Sequence, residues 1–184
     1  MSRTRIGLLI AILLVAGFLV WLVFFRQDGM KRAQAESANG SKYSLEVPPD
    51  MESTYFGNDN AAFQFQSEKG GYSMMVIDDS KEKIASFGLD YDLDTYMKIA
   101  TRSLDSAGLY VNSKIEVNGQ QALQATVQGK RDGVPTTFIL TCVETPGFYY
   151  QLVCWSASDK FEANKPTLES LINSFKEENP QPVE

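Results

Sequence analysis

Three acids alternate in Gly88–Tyr96, GLDYDLDTY, and carboxylates at this spacing can gather around a hard cation. A calcium loop needs more than three acids. It also requires glycine at its sixth position and glutamate at its twelfth. Counted from Asp90, those positions hold Thr95 and Thr101. The calcium-loop signature fails, and the acids are read first as helix-capping groups that favour the positive end of the helix dipole. Asp90, Asp92 and Asp94 remain the candidate metal ligands, with Asp78 and Asp79 as neighbours.

The chain of 184 residues contains no histidine. That removes Ser-His-Asp and Cys-His catalysis, and histidine-ligated zinc or haem. Two cysteines cannot build a four-thiolate site. Chemistry that needs no histidine, carried by carboxylates or a Ser-Lys pair, stays open. The net charge of −6 argues against nucleic acid as a partner, because its binders present a basic stripe. No catalytic residue and no cofactor is assigned.

Cys142 and Cys154 fall on the two arms of a hairpin around Thr145-Pro146-Gly147. With those three residues as the loop, Cys142 faces Tyr150, and Cys154 lies ~13 Å further along. A disulfide needs Cα atoms within about 7 Å, so free, buried thiols are expected. Phe148, Tyr149, Tyr150 and Trp155 on the second arm must divide between two faces. Core packing is expected of them before a ligand platform. Lys81, Lys83, Lys130, Arg131 and Asp132 are read as solvated charges, with Lys130 to Gly133 forming a turn.

The elements that position these groups follow from periodicity. Ile6 to Phe25 is apolar for twenty residues, ~30 Å as a helix and enough to cross a bilayer. The span is longer than a signal-peptide core, so an uncleaved anchor over residues 1–25 is expected. A small-residue cleavage site at Ala33-Gln34-Ala35 is the alternative. The basic flanks balance nearly evenly. A short head before a large folded tail places the C-terminal domain outside the cytoplasm, as a single-pass protein of a bacterial inner membrane.

Residues 26–40 read as a flexible polar linker and 178–184 as a disordered tail. Between them, residues 41–177 form one domain. Tyr43, Leu45 and Val47 alternate, and Pro48-Pro49 stops that strand. Phe63 and Phe65 open a hairpin through Gly70-Gly71 into Tyr72–Ile77. Leu93, Met97, Ala100, Leu104 and Ala107 make a helical stripe, with Asp92 as N-cap and an end near Gly108. Asn118-Gly119 marks a second hairpin. A two-residue turn there splits its apolar residues between faces, so a three-residue loop with a bulge at Gly119 is expected. Leu168, Leu171, Ile172 and Phe175 form the last helix, with Pro166 in its first turn. The class is α+β: an antiparallel β-sheet flanked by helices.

The order of these motifs resembles the PsbP-like family, which takes in the DcrB-like envelope proteins. The resemblance runs through YSLEVPPDM, FQFQ, the mid-chain helix, VNGQQALQATVQG and LINSF, over residues 41–177. Met51 stands where the family pattern has tryptophan, and histidine-based metal ligation does not carry over. The resemblance implies a helix-flanked antiparallel sheet and no common active site. The function expected is a membrane-anchored, extracytoplasmic, non-catalytic binding or accessory domain with a protein partner in the envelope. A small-ligand or metal-ion binding domain is the first alternative, and a carboxylate-dependent enzyme the second.

Overall fold

A computed structural model of the chain describes residues 29–104 and 113–178. The chain divides into two units, Met1–Lys31 and Arg32–Glu184, and nearly all the described residues belong to the second. The apolar span Ile6–Phe25 lies outside the described residues, as do Ala107, Gly108 and residues 179–184. Among the described residues, no helix is long and apolar enough to cross a membrane.

Among the described residues, ten strands form two antiparallel sheets. The small one has the order β1 (Lys31–Glu36), β2 (Lys42–Val47) and β10 (Lys176–Glu177). The large one has the order β3 (Glu52–Ser53), β4 (Phe63–Ser67), β5 (Tyr72–Ser80), β9 (Phe148–Ala157), β8 (Val134–Glu144), β7 (Gln120–Arg131) and β6 (Ser113–Val117). Helix α1 spans Lys81–Ser86, α2 Leu93–Arg102 and α3 Phe161–Asn173. The α+β class holds: hairpins build the sheet, and helices pack on it.

Both faces of the large sheet are buried. On one face Met74, Val76, Tyr150, Leu152 and Cys154 meet Tyr43 and Leu45 of the small sheet, with Leu168, Leu171 and Ile172 of α3. On the other, Leu123, Ala125, Val127, Leu140, Val153 and Trp155 meet Tyr96, Met97 and Ala100 of α2. Apolar residues therefore belong on both sides of the central strands, as in sheets covered on two faces.

This corrects the second hairpin. Val117 pairs with Gln120 and Ile115 with Ala122, across a two-residue turn. Asn118 (φ 48°) and Gly119 (φ 81°) are both left-handed, as a type I′ turn requires. Val117 and Ala122 pack on one face, and Leu123, Ala125 and Val127 on the other. The three-residue loop was inferred from the premise of one buried face, and that premise fails.

The linker also needs correction. Within residues 26–40, Lys31–Glu36 is β1, and Ala33 and Ala35 pack against the core. Two small alanines alternate there with polar residues, too weak a pattern to read as a strand. Glu178, expected in the tail, is tied to the small sheet. Glu177 belongs to β10, and the Glu178 N–H donates to the Lys42 carbonyl at 2.8 Å. Strand β2 lies between β1 and β10, so Pro48-Pro49 leaves a central strand of the small sheet. Tyr43, Leu45 and Val47 are buried, and so is Met51.

Helix α3 begins at Phe161, five residues before Pro166, so the proline lies in the helix interior and not in its first turn. Helix α1 is an element the sequence reading lacked. Ser80 caps it, the serine hydroxyl accepting from the Lys83 N–H.

Candidate functional site

Strand β5 ends in Asp78-Asp79, and a strand sends neighbouring side chains to opposite faces. Asp79 falls on the α2 face. Its Oδ2 accepts from the Tyr96 hydroxyl at 2.6 Å, and Gln151 Nε2 donates to that same hydroxyl at 3.0 Å. Tyr96 stacks on Tyr149, with ring centroids 4.6 Å apart and planes at 20°. Burial, and then the Asp79 charge, push the Tyr96 phenol far above its ordinary range.

Beside this group lies a cleft of about 520 Å³. Met75, Ile77 and Val153 give it an aliphatic floor; Asp79 and Gln151 supply carboxylate and amide, and Lys83 a cation. One wall is the loop Asn58–Asn60, set by Gln64 from β4. Gln64 Nε2 donates to the carbonyls of Asn58 (2.8 Å) and Ala61 (2.9 Å), and its Oε1 accepts from the Phe56 N–H at 2.7 Å. Gln64 is buried, so the loop is pinned from within the sheet. The opposite wall is the β1–β2 turn. There Asn39 Nδ2 donates to the Asp78 carbonyl at 2.9 Å, and Asn39 Oδ1 accepts from Lys83 Nζ at 3.4 Å. The volume falls in the range of small-molecule sites, ~300–1,000 Å³. Sequence periodicity pointed to no cleft, because its walls come from turns that carry no repeating pattern.

The three candidate acids do not enter this cleft. Asp92 is the N-cap of α2: its Oδ1 accepts from the Thr95 N–H at 2.7 Å, and those hydrogen bonds hold the carboxyl below its usual range. Asp94 lies in the first turn of α2. Asp90 precedes the helix. Among the described residues, no three Asp, Glu or Cys side chains gather as a metal cluster.

Both thiols are free and buried. Cys142 pairs across the ladder with Gln151, and Cys154 with Ile139, one register step from the expected pairing. The Thr145 N–H donates to the Phe148 carbonyl at 2.9 Å, so Pro146-Gly147 alone makes the turn. The cysteines thus face opposite sides of the sheet, where no disulfide can join them. Burial raises Cys142 to about 12 and Cys154 further, so neither is a nucleophile at neutral pH.

The aromatic run divides between faces as expected, and all of it is core. Phe148 and Tyr150 lie on the α3 side, Tyr149 and Trp155 on the α2 side. Two of the charges read as solvated are not. Phe56 and Trp155 meet edge to face with centroids 4.8 Å apart, and the Arg131 guanidinium caps the pair, its carbon 4.6 and 4.4 Å from the two centroids. Lys81 pairs with Glu144 at 2.7 Å and covers the Tyr149 ring at 4.7 Å. The turn expected over Lys130–Gly133 is shorter: Lys130 and Arg131 belong to β7, and Asp132 and Gly133, both with positive φ, connect Arg131 to Val134.

Comparison of the fold with solved structures returns a PsbP among its matches. The solution structure of cyanobacterial PsbP from Synechocystis matches with a TM-score of 0.57 at 12% identity, over 82% of this chain and 93% of that one. LpqN of Mycobacterium tuberculosis, described as involved in cell envelope biogenesis, matches with a TM-score of 0.57 at 13% identity, over 85% and 95%. A protein from Bacteroides thetaiotaomicron matches with a TM-score of 0.51 at 9% identity, over 74% of this chain and 45% of its own length. This chain therefore spans less than half of the Bacteroides protein. No protein-family profile and no curated protein sequence matches. The chain has the PsbP-like fold that the DcrB-like resemblance implied.

Proposed function

We propose that this chain, with the PsbP-like fold as premise, is a membrane-anchored, non-catalytic binding or accessory domain of a bacterial envelope or membrane complex, held on the outer side of the inner membrane. The observation that carries the binding role is the cleft at Asp79. Its walls are pinned by Gln64 and Asn39, and its lining offers amides, carboxylates and one lysine over an aliphatic floor. Such a lining recognises hydrogen-bonding groups; the thiols, the usual nucleophiles at hand, are buried elsewhere.

The anchor rests on the sequence of Ile6–Phe25. An uncleaved anchor is favoured by the place of Ala33 and Ala35 in β1: cleavage after Ala35 would strip a strand whose alanines pack on the core. The likeness to LpqN supports an envelope setting.

Photo-crosslinking from position 58 or 83 in living cells tests the role. A discrete crosslinked partner, absent when the probe sits at exposed Val134, which does not line the cleft, is the expected result. Adduct-free chain from the cleft positions would overturn the protein-partner reading. A periplasmic reporter fused after Glu184 tests topology, and activity only as a cytoplasmic reporter would reverse the orientation.

The cleft volume favours a second reading, a small ligand in place of a protein segment. Thermal-shift screening separates the two, since a ligand that binds the folded state raises the melting temperature.

A further inference from the structure

On the α3 face, Asp78 lies opposite Tyr150 in the β5–β9 ladder, and Glu177 lies opposite Tyr43 in the β10–β2 ladder. The two tyrosines meet edge to face, with centroids 5.6 Å apart. The Tyr150 hydroxyl donates to Glu177 Oε1 at 2.7 Å, and Thr145 Oγ1 donates to the same oxygen at 3.2 Å. Asp78 Oδ2 accepts from Ser37 Oγ at 2.7 Å, and Ser37 Oγ lies 3.0 Å from Ser41 Oγ. The four side chains thus bring the ends of the small sheet against the end of β5.

Three buried polar atoms here have no protein partner: Tyr43 OH, Asp78 Oδ1 and Glu177 Oε2. They are the full set of such atoms among the described residues. Tyr43 is 0% exposed and Asp78 1%. No ion pair among the described residues reaches Asp78 or Glu177; Arg32, Lys42 and Lys81 are engaged by Glu178, Glu36 and Glu144. A buried carboxylate oxygen with neither donor nor cation is costly, and two in one place are more so.

We propose that Asp78 Oδ1, Glu177 Oε2 and the Tyr43 hydroxyl oxygen are ligands of one buried hard cation, with calcium as the fitting ion. The donors are all oxygen, and the two carboxylates match a divalent charge. Calcium accepts irregular sets of oxygen ligands, whereas magnesium demands an octahedron and keeps its waters. These atoms are shut off from solvent, which disfavours an ion that keeps a water shell. Asp78 also borders the cleft, on the side of Ser37, and the site is separate from Asp90, Asp92 and Asp94. It ties β1–β2, the hairpin that follows the apolar span in sequence, to the large sheet.

Terbium replaces calcium and is sensitised by nearby tyrosine, which Tyr43 and Tyr150 supply. The experiment uses the full chain in detergent, stripped of metal. Terbium luminescence excited through tyrosine should appear, calcium should quench it at least tenfold more effectively than magnesium, and calcium should raise the melting temperature. Tyr43→Phe keeps the ring and should weaken terbium binding several-fold; Asp78→Asn should abolish it; Asp92→Asn should leave it unchanged. Absence of both signals from the folded wild-type chain means the three atoms meet water only, and overturns the proposal. A signal lost in Asp92→Asn but kept in Tyr43→Phe overturns it equally, by moving the ion to the surface acids.

Discussion

Tyr96 on α2 donates its hydroxyl to Asp79 on β5 at 2.6 Å, and this bond joins the helix to the wall of the cleft. The carboxylate makes it charge-assisted, and such bonds contribute ~1.5–3 kcal/mol. Tyr96→Phe removes the donor to Asp79 and the acceptor for Gln151 while keeping the stack on Tyr149. Stability should fall by ~1–3 kcal/mol in urea unfolding with an unchanged slope. An unchanged midpoint would show that the helix is held by apolar packing alone.

Alkali should unfold the domain through its tyrosines. Tyr43, Tyr96 and Tyr150 all have their phenols raised, by burial first and by Asp78, Asp79 or Glu177 after it. A group with a raised folded-state pKa stabilises fully below its unfolded value, and that stability is lost as pH rises above it. The loss should therefore begin near pH ~10, the unfolded value for tyrosine. Absorbance of tyrosinate should show a late, cooperative fraction that rises with loss of near-ultraviolet dichroism. Smooth titration of all tyrosines near pH ~10 with the fold intact would contradict this.

The Asn118-Gly119 turn gives a local test. Gly119 has φ 81°, and a side chain there enters the left-handed region at a cost of roughly 1–2 kcal/mol. Asn118 tolerates φ 48° and donates through Nδ2 to the Phe175 carbonyl, joining the turn to the end of α3. Gly119→Val should lower stability by at least ~1 kcal/mol, and Asn118→Gly by less. Equal stability of Gly119→Val and wild type in chemical denaturation would argue against the two-residue turn.

What the sequence made legible was order and local chemistry. The Asp92 cap, the stripe of α2 and the core role of Tyr43, Leu45 and Val47 were readable because each is written within a few neighbouring residues. Register was harder. The hairpins at Asn118-Gly119 and Pro146-Gly147 each differ by one residue from expectation, because their strands are buried on both faces and alternation no longer distinguishes in from out. β1 escaped notice because Ala33 and Ala35 are small, and β10 because two residues carry no period. The cleft and the Tyr43–Asp78–Glu177 cluster join residues more than thirty positions apart, and only the assembled sheets bring them together.

The two thiols give a chemical check on the register. Cys142 and Cys154 lie on opposite faces, and burial raises Cys142 to about 12 and Cys154 beyond it. The native chain at pH ~8 should react negligibly with a thiol reagent, since the reactive thiolate is scarce and enclosed. Denatured without reductant, it should release two free thiols. Fewer than two would mean a disulfide and a different pairing of β8 with β9.

Arg131 offers the sharpest test of a charge that looks solvated in sequence. Its guanidinium caps the edge-to-face pair of Phe56 and Trp155, and burial lowers its pKa despite Asp132 alongside. A planar, weakly hydrated guanidinium lies readily against aromatic rings, whereas an ammonium is compact and strongly hydrated. Cation–π contacts contribute ~0.5–2 kcal/mol each, according to how far they are desolvated. Arg131→Lys keeps the charge and loses the planar group that covers both rings. It should cost ~1 kcal/mol and change the tryptophan emission, because Trp155 gains solvent on one face. Phe56 belongs to the segment that Gln64 pins beside the cleft, so the same variant should speed hydrogen exchange over residues 56–61. If exchange there matches wild type while the emission changes, Arg131 stabilises Trp155 alone and the cleft wall stands without it.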